Sequence, residues 1–211
     1  MKLAKLAPFL PALTSAALSY TGTCPEVTGT PDFNPDLYQG TWFNLAISPF
    51  FWDFPTARCT SATYKTNTDE DSIADLDVIN SSILAFGFRS TFRGKAIIEN
   101  GTPPDDKLAT LSVSFFKDPV PNTDNYIVFS TDNISYSYVW SCKNNEEDNE
   151  FEPVLYILNR SSEVPAWKTG EHIKNAMLLL DNYFGFGGDN ASDFEYRIRI
   201  VNMDDCPDPG F

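Results

Sequence analysis

The sequence predicts an all-β protein in which eight antiparallel strands, in a barrel or a sandwich, are followed by one helix and a short ninth strand. Three observations carry that expectation. Short runs rich in β-branched and aromatic residues recur along the chain. Polar turns separate them: "TDED", "NGTPPDD", "DPVPNTD" and "NNEEDNE" are sequences that only solvent-facing loops carry. One late segment then changes period, with Trp167, Ile173, Met177, Leu180 and Phe184 near helical spacing.

Taken in order, residues 1–19, "MKLAKLAPFLPALTSAALS", join Lys2 and Lys5 to an apolar run and put Ala17 and Ser19 at the −3 and −1 positions of a cut, as a secretory signal peptide does. Pro8 and Pro11 break a run already short of the roughly 20 residues of a spanning helix. Residues 20–211 are then one exported domain. Thr23 to Tyr38 reads as Pro-rich and irregular, and strands are expected at about 41–48, 59–67, 73–82, 86–98, 108–117, 125–131, 134–142 and 153–160. From Val164 to Phe184 we expect a helix, with Pro165 at its first position and Gly185 as its stop. Its single apolar stripe places it against the outside of the sheet. The ninth strand is expected at 194–201. "NNEEDNEFE" lacks the spaced Asp and Gly of a calcium loop and reads as a solvated loop.

Composition bounds the chemistry. With 42% hydrophobic and 14% aromatic residues, the 211-residue chain can build a real core. Its net charge of −14 becomes −16 once Lys2 and Lys5 leave with the signal, a field that disfavours nucleic acid and anionic membranes. Cys24, Cys59, Cys142 and Cys206 make an even count, which in an exported chain reads as two disulfides, with three pairings open. No CxxC spacing suggests zinc, and His172 is the only histidine, so neither a metal site nor a Ser-His-Asp triad is expected. Asn80, Asn100, Asn133 and Asn190 head glycosylation sequons; Asn159 heads a fifth, but inside an apolar run.

Three motifs sharpen the fold. "NPDLYQGTWF", with Gly40 and Trp42 opening the first strand, resembles the first signature of the lipocalins. "FSTDNISYSYVWSC" resembles the second, with Thr131 and Asp132 at a strand turn and Asn133 in place of the usual Tyr. "YILNRSSEVP", with Arg160 before the helix, resembles the third. In order, over roughly residues 24–206, they resemble the apolipoprotein D and bilin-binding subgroup. The resemblance implies an eight-stranded antiparallel up-and-down lipocalin β-barrel, and disulfides Cys24–Cys142 and Cys59–Cys206. An Arg160 guanidinium stacked on the Trp42 indole would gain about 0.5–2 kcal/mol and satisfy carbonyls at the closed end.

The resemblance implies Tyr38, Tyr64, Asn80, Phe115, Tyr126 and Tyr156 as pocket residues. Strand alternation from Trp42 and Arg160 independently places Asn44, Ala46 and Ser48 on the first strand, and Leu158, Tyr156 and Val154 on the eighth, facing inward. Small residues such as Ala46 and Ser48 opposite large aromatics argue for a hollow barrel. Phe50, Phe51, Trp52 and Phe54, bracketed by Pro49 and Pro55, fall in the loop that overhangs the open end in this arrangement; Phe51 and Trp52 are candidate ligand contacts. The expected function is secretion and carriage of a small hydrophobic ligand: a bilin, carotenoid, retinoid, sterol or fatty acid. No cofactor is required, although a chromophore such as biliverdin or a carotenoid fits the same pocket. The alternative is a structural subunit of a pigment complex, assembling as an oligomer or touching lipid through loop 49–55. Lipocalin isomerases use a free cavity thiol, and with four paired cysteines no catalysis is expected.

Overall fold

The computed structural model describes residues 18–48, 56–99 and 109–210. In chain order these residues form β1 (Tyr20–Thr21), α1 (Pro35–Tyr38), β2 (Gly40–Ile47), β3 (Arg58–Thr66), β4 (Leu76–Ile83), β5 (Arg89–Glu99), β6 (Thr110–Ser114), β7 (Tyr126–Thr131), β8 (Tyr136–Asn145), β9 (Glu150–Asn159), α2 (Ala166–Phe184), α3 (Gly188–Arg197) and β10 (Arg199–Ile200). Strands β2 to β9 pair antiparallel with their sequence neighbours, and β9 returns to β2. That last pairing makes the sheet a closed barrel rather than a sandwich.

Alternation divides the apolar residues into two cores. Inside the barrel, Phe33, Tyr38, Trp42, Leu76, Val78 and Leu158 fill the closed end. On the outer face, Leu45, Phe129, Trp140, Leu155 and Ile157 pack with Ile173, Ala176, Met177 and Leu180 of α2 and with Phe194 of α3. The amphipathic helix therefore covers the barrel from outside, as expected. It stops at Gly185, whose φ of 73° is the left-handed conformation glycine adopts without strain.

Four expectations need correction. Pro165 is the N-cap of α2, one residue before the helix, not its first helical residue. The segment 194–201 is not a strand throughout: residues 188–197 form α3, and only Arg199–Ile200 pair, with β2. Residues 35–38 are helical, because Asn34 caps the turn by accepting from the N–H groups of Asp36 and Leu37. The acidic loop shrinks to a four-residue turn, since β8 runs to Asn145 and β9 begins at Glu150.

The closed end is built from the first motif. Gly40 has φ +95°, and a Cβ there would lie 3.1 Å from Arg160 Nη1, so glycine supplies both the backbone angle and the space. The Arg160 guanidinium lies 3.8 Å from the Trp42 ring centroid and donates to the carbonyls of Thr41 and Leu37. Trp42 Nε1 donates to the Tyr38 carbonyl at 2.8 Å. Thr131 and Asp132 shape the β7–β8 turn: Asp132 Oδ1 accepts from the N–H groups of Ile134, Ser135 and Tyr136, and Thr131 Oγ1 donates to the Tyr136 carbonyl. Asn133, in the left-handed region at φ 63°, donates to the Asp32 carbonyl and accepts from the Asn34 N–H, so it ties the N-terminal segment across the barrel floor. Disulfides join Cys24 to Cys142 and Cys59 to Cys206.

Candidate functional site

Above this floor lies a cavity of about 340 Å³. Its walls are mostly apolar, and no Asp or Glu stands among its described lining residues. Asn44, Tyr64, Asn80, Phe115, Tyr126 and Tyr156 all line it. Their elements explain the placement. Asn44 stands two residues after Trp42 on β2, Tyr64 on β3 and Asn80 on β4 share the inward face, and Tyr156 follows from Leu158 on β9 by the same period of two. Phe115 reaches the wall because Gly94 on β5 carries no side chain; a Cβ there would lie 2.7 Å from the Phe115 ring.

Ala46 is not in the wall. The β2–β9 register slips between Asn44 and Ala46: Asn44 pairs with Leu158, but Ala46 pairs with Ile157, leaving Leu45 as an extra residue. Such a bulge reverses the facing of everything beyond it. Leu45 and Ala46 both join the outer core, and Ile47, paired with Tyr156, lines the cavity in place of Ala46. Ser48 is diverted as well, its hydroxyl accepting from the Leu155 N–H at 2.9 Å. Val154 shares the face of Tyr156 but is not part of the lining. Tyr38 is placed beneath the cavity rather than beside it: it is fully buried, stacked on Trp42 at 4.8 Å, with its hydroxyl 2.9 Å from Ser137 Oγ. Phe50, Phe51, Trp52, Phe54 and Asn100 lie outside the described residues.

The tyrosines form a hydroxyl cluster at the base. Tyr64 and Tyr126 share a hydrogen bond of 2.6 Å, and the rings of Tyr126 and Tyr156 stand 6.2 Å apart. Burial, then neighbouring tyrosines, pushes Tyr64 and Tyr126 well above the ordinary phenol range, and burial pushes Tyr38 up to about 12. These groups are neutral polar contacts at any physiological pH. Higher up, Phe92 and Phe116 form an apolar rim.

Arg199 also lines the cavity, which sequence reasoning missed because the residue sits in the C-terminal segment. β2 pairs with β3 only over Gly40–Phe43; beyond that point β10 takes the edge of β2, with Arg199 opposite Ile47 and Val201 N–H bonded to the Leu45 carbonyl. Arg58 forms a parallel bridge with Asn202, and Cys59–Cys206 secures the segment. β10 thus wedges between the diverging ends of β2 and β3. An "RIRIV" run after a helix gives no signal for that insertion.

The sequons separate by the same geometry. The Asn80 side chain lines the cavity, and the Asn133 amide is hydrogen-bonded to Asp32 and Asn34 beneath the barrel. Asn190 is exposed on α3. Among the described residues no group of three His, Cys, Asp or Glu is placed to hold a metal.

An antiparallel eight-stranded barrel with a plugged floor, an outer helix and an interior hollow is a small-molecule calyx. The family model for the lipocalin-like domain matches residues 34–177, and the chain belongs to that family. It is 27% identical over 172 residues to the Lazarillo protein of Schistocerca americana, covering 80% of this chain and 76% of that protein. It is 25% identical over 177 residues to the bilin-binding protein of Pieris brassicae, covering 82% of each. Among solved structures, insecticyanin from Manduca sexta superposes with a TM-score of 0.65 at 20% identity, over 90% of this chain and 93% of that one. H1 crustacyanin from the lobster Homarus americanus gives 0.60 at 17%, over the same shares. These structural likenesses speak to the fold.

Proposed function

We propose that the protein is an exported carrier that holds one small hydrophobic ligand in the barrel without covalent chemistry. The observation that carries this reading is the cavity of about 340 Å³, lined by aromatic and aliphatic side chains interspersed with Asn, Ser, Thr and Tyr groups and one cation, Arg199. Pockets of that size and character hold flat or elongated apolar molecules. The similarity to a bilin-binding protein supports a chromophore such as biliverdin or a carotenoid among the candidates, beside retinoids, sterols and fatty acids. All four cysteines are bonded, which leaves no thiol for the chemistry of a lipocalin isomerase. The disulfides fit an oxidising compartment. Cleavage after Ser19 would leave β1 intact for its pairing with Phe151 and Glu150 on β9. The test is titration of delipidated protein with biliverdin, retinol, a carotenoid, progesterone and a long-chain fatty acid, followed by fluorescence and calorimetry. At least one should bind more tightly than about 10 μM, roughly −7 kcal/mol. If none does, the carrier reading fails.

A second reading is supported by the mouth. Phe86 is 98% exposed at the tip between β4 and β5, with Phe88 exposed beside it and Phe116 exposed on the next open-end loop. Apolar tips of this kind suit assembly or lipid contact. Native mass measured against concentration separates the readings, because a subunit of a pigment complex must associate whereas a carrier need not.

A further inference from the structure

Arg199 puts a formal positive charge in the cavity wall, and no Asp or Glu stands among the described lining residues to answer it. Strand pairing fixes its place. On β2, Ile47 is flanked by Arg199 of β10 on one side and by Tyr156 of β9 on the other. Residues paired across a sheet share a face, and all three line the cavity, so they form one inward row. Arg199 and Tyr156 stand at its two ends, two strand spacings or roughly 10 Å apart along the sheet. The row lies above the base, where Tyr64, paired with Gly40 near the floor, bonds Tyr126.

The rest of the polar wall is able to donate. Asn44 Oδ1, Asn80 Oδ1, Ser61 Oγ and Arg199 Nε have essentially no accessible surface and offer a ligand nothing. What the same wall can present is hydroxyls, as on Thr60, amide N–H groups of Asn44 and Asn80, and the terminal nitrogens of Arg199. Arg199 Nη1 lies 3.5 Å from the Ala57 carbonyl, and a guanidinium has five donors, so that contact leaves room for a further acceptor. A carboxylate matches this environment, because its two oxygens fit the guanidinium fork and its charge offsets the cation in a largely apolar wall. The net charge of −14 opposes an anion over the molecule as a whole, so a local cation is what admits one.

We infer that the ligand is an amphipathic carboxylic acid whose carboxylate binds Arg199, in the row it shares with Tyr156, while its apolar body runs down past Val78 and Leu158 toward the Trp42 floor. This rests on the carrier reading and narrows it. Long-chain fatty acids, retinoic acid and propionate-bearing bilins share the required group. Sterols, retinol and hydrocarbon carotenoids lack it.

The test compares acid with ester on a constant skeleton. Delipidated protein is titrated with oleate and methyl oleate, retinoic acid and methyl retinoate, and biliverdin and its dimethyl ester, following tryptophan quenching and calorimetry. On at least one skeleton the acid should bind about tenfold more tightly than its ester, against the hydrophobic trend, which favours the ester. In Arg199→Gln the ratio should fall to about one, and in Arg199→Lys it should recover in part. The pair that shows the preference tells whether an acyl chain, a retinoid or a tetrapyrrole carries the carboxylate. Equal binding of acid and ester on every skeleton that binds, a preference for the ester, or a preference for the acid that survives Arg199→Gln overturns this inference and leaves the carrier reading standing. Binding of retinol, progesterone or a carotenoid without any of the three acids does the same. If none of these compounds binds, both readings fall. The wild-type comparison needs no variant, so misfolding of Arg199→Gln leaves the inference open to refutation.

Discussion

Arg160 and Trp42 meet face to face at 3.8 Å, and each is also tied to the chain around it: the guanidinium to Thr41 and Leu37, the indole to Tyr38. The pair lies below the cavity and closes it without lining it. Arg160→Ala should therefore cost stability. Losing the stack and two charge-assisted hydrogen bonds is worth about 2–4 kcal/mol, and each kcal/mol lowers the melting temperature by roughly 2–4 °C in a chain of this size. Intrinsic ligand affinity at a temperature where the variant is folded should change less than threefold. Unchanged melting with abolished binding would move Arg160 into the ligand site.

The two disulfides should differ in what they protect. Each closes a long loop, and its removal should cost about 2–5 kcal/mol, read as a lower urea midpoint. Cys59–Cys206 also holds β10 where β2 and β3 diverge, beside the mouth. A Cys59→Ser, Cys206→Ser variant should release ligand faster than a Cys24→Ser, Cys142→Ser variant of equal stability. Equal release rates would remove β10 from any role at the mouth.

The barrel was legible because eight strands, their turns and the three motifs obey local rules that survive folding. Gly40 and Trp42 are readable at a glance, since the left-handed glycine and the indole it positions are both sequence-local. Facing was less legible. Within "WFNLAIS" nothing in residue type marks Leu45 as an extra residue, so alternation carried from Trp42 holds at Asn44 and fails at Ala46. The C-terminal segment misled in the opposite way. Phe194, Tyr196, Ile198 and Ile200 alternate like a strand, yet Phe194 packs against Trp140 and Phe186 from a helix while Tyr196 points into solvent. Tertiary packing of one aromatic overrode the local period. Tyr38 was displaced from the pocket because a family resemblance places a residue near a site without giving its depth.

Two groups should make stability depend on pH in separate windows. Burial raises the Asp132 carboxyl, but hydrogen bonds from the Ser135 side chain and from backbone N–H groups outweigh it and bring the pKa down to about 2. A depressed folded pKa stabilises above the unfolded value of 3.8 and is lost as pH falls toward 2. The difference in urea midpoint between wild type and Asp132→Asn should be constant above about pH 5 and close between pH 4 and 2. His172 is lowered by burial and then by Lys168, against smaller opposing effects of Glu171 and Asp132, and its Nδ1 lies 2.8 Å from the Tyr138 hydroxyl of β8. The neutral ring is favoured, so wild type should lose stability relative to His172→Gln as pH falls through 6.5. A wild type that gains stability relative to His172→Gln as pH falls through 6.5 would reverse the assignment.

The bulge at Leu45 makes opposite predictions for two adjacent residues. Ala46 is fully buried in the outer core with Ile173 and Met177 of α2, whereas Ile47 stands beside its partner Tyr156 on the cavity wall. Ala46→Phe forces a ring into packed space and should cost about 1–3 kcal/mol, lowering the melting temperature while leaving ligand stoichiometry at its wild-type value in the folded fraction. Ile47→Trp instead adds volume to a hollow, so it should keep or raise the melting temperature and reduce binding capacity. Tyr156→Trp, from the neighbouring strand of the same wall, should behave like Ile47→Trp. Without the bulge, Ala46 would point inward and the two phenotypes would exchange: loss of capacity from Ala46→Phe and loss of stability from Ile47→Trp. Melting and stoichiometry measured on the same preparations decide between the two registers, and they do so with any ligand that binds.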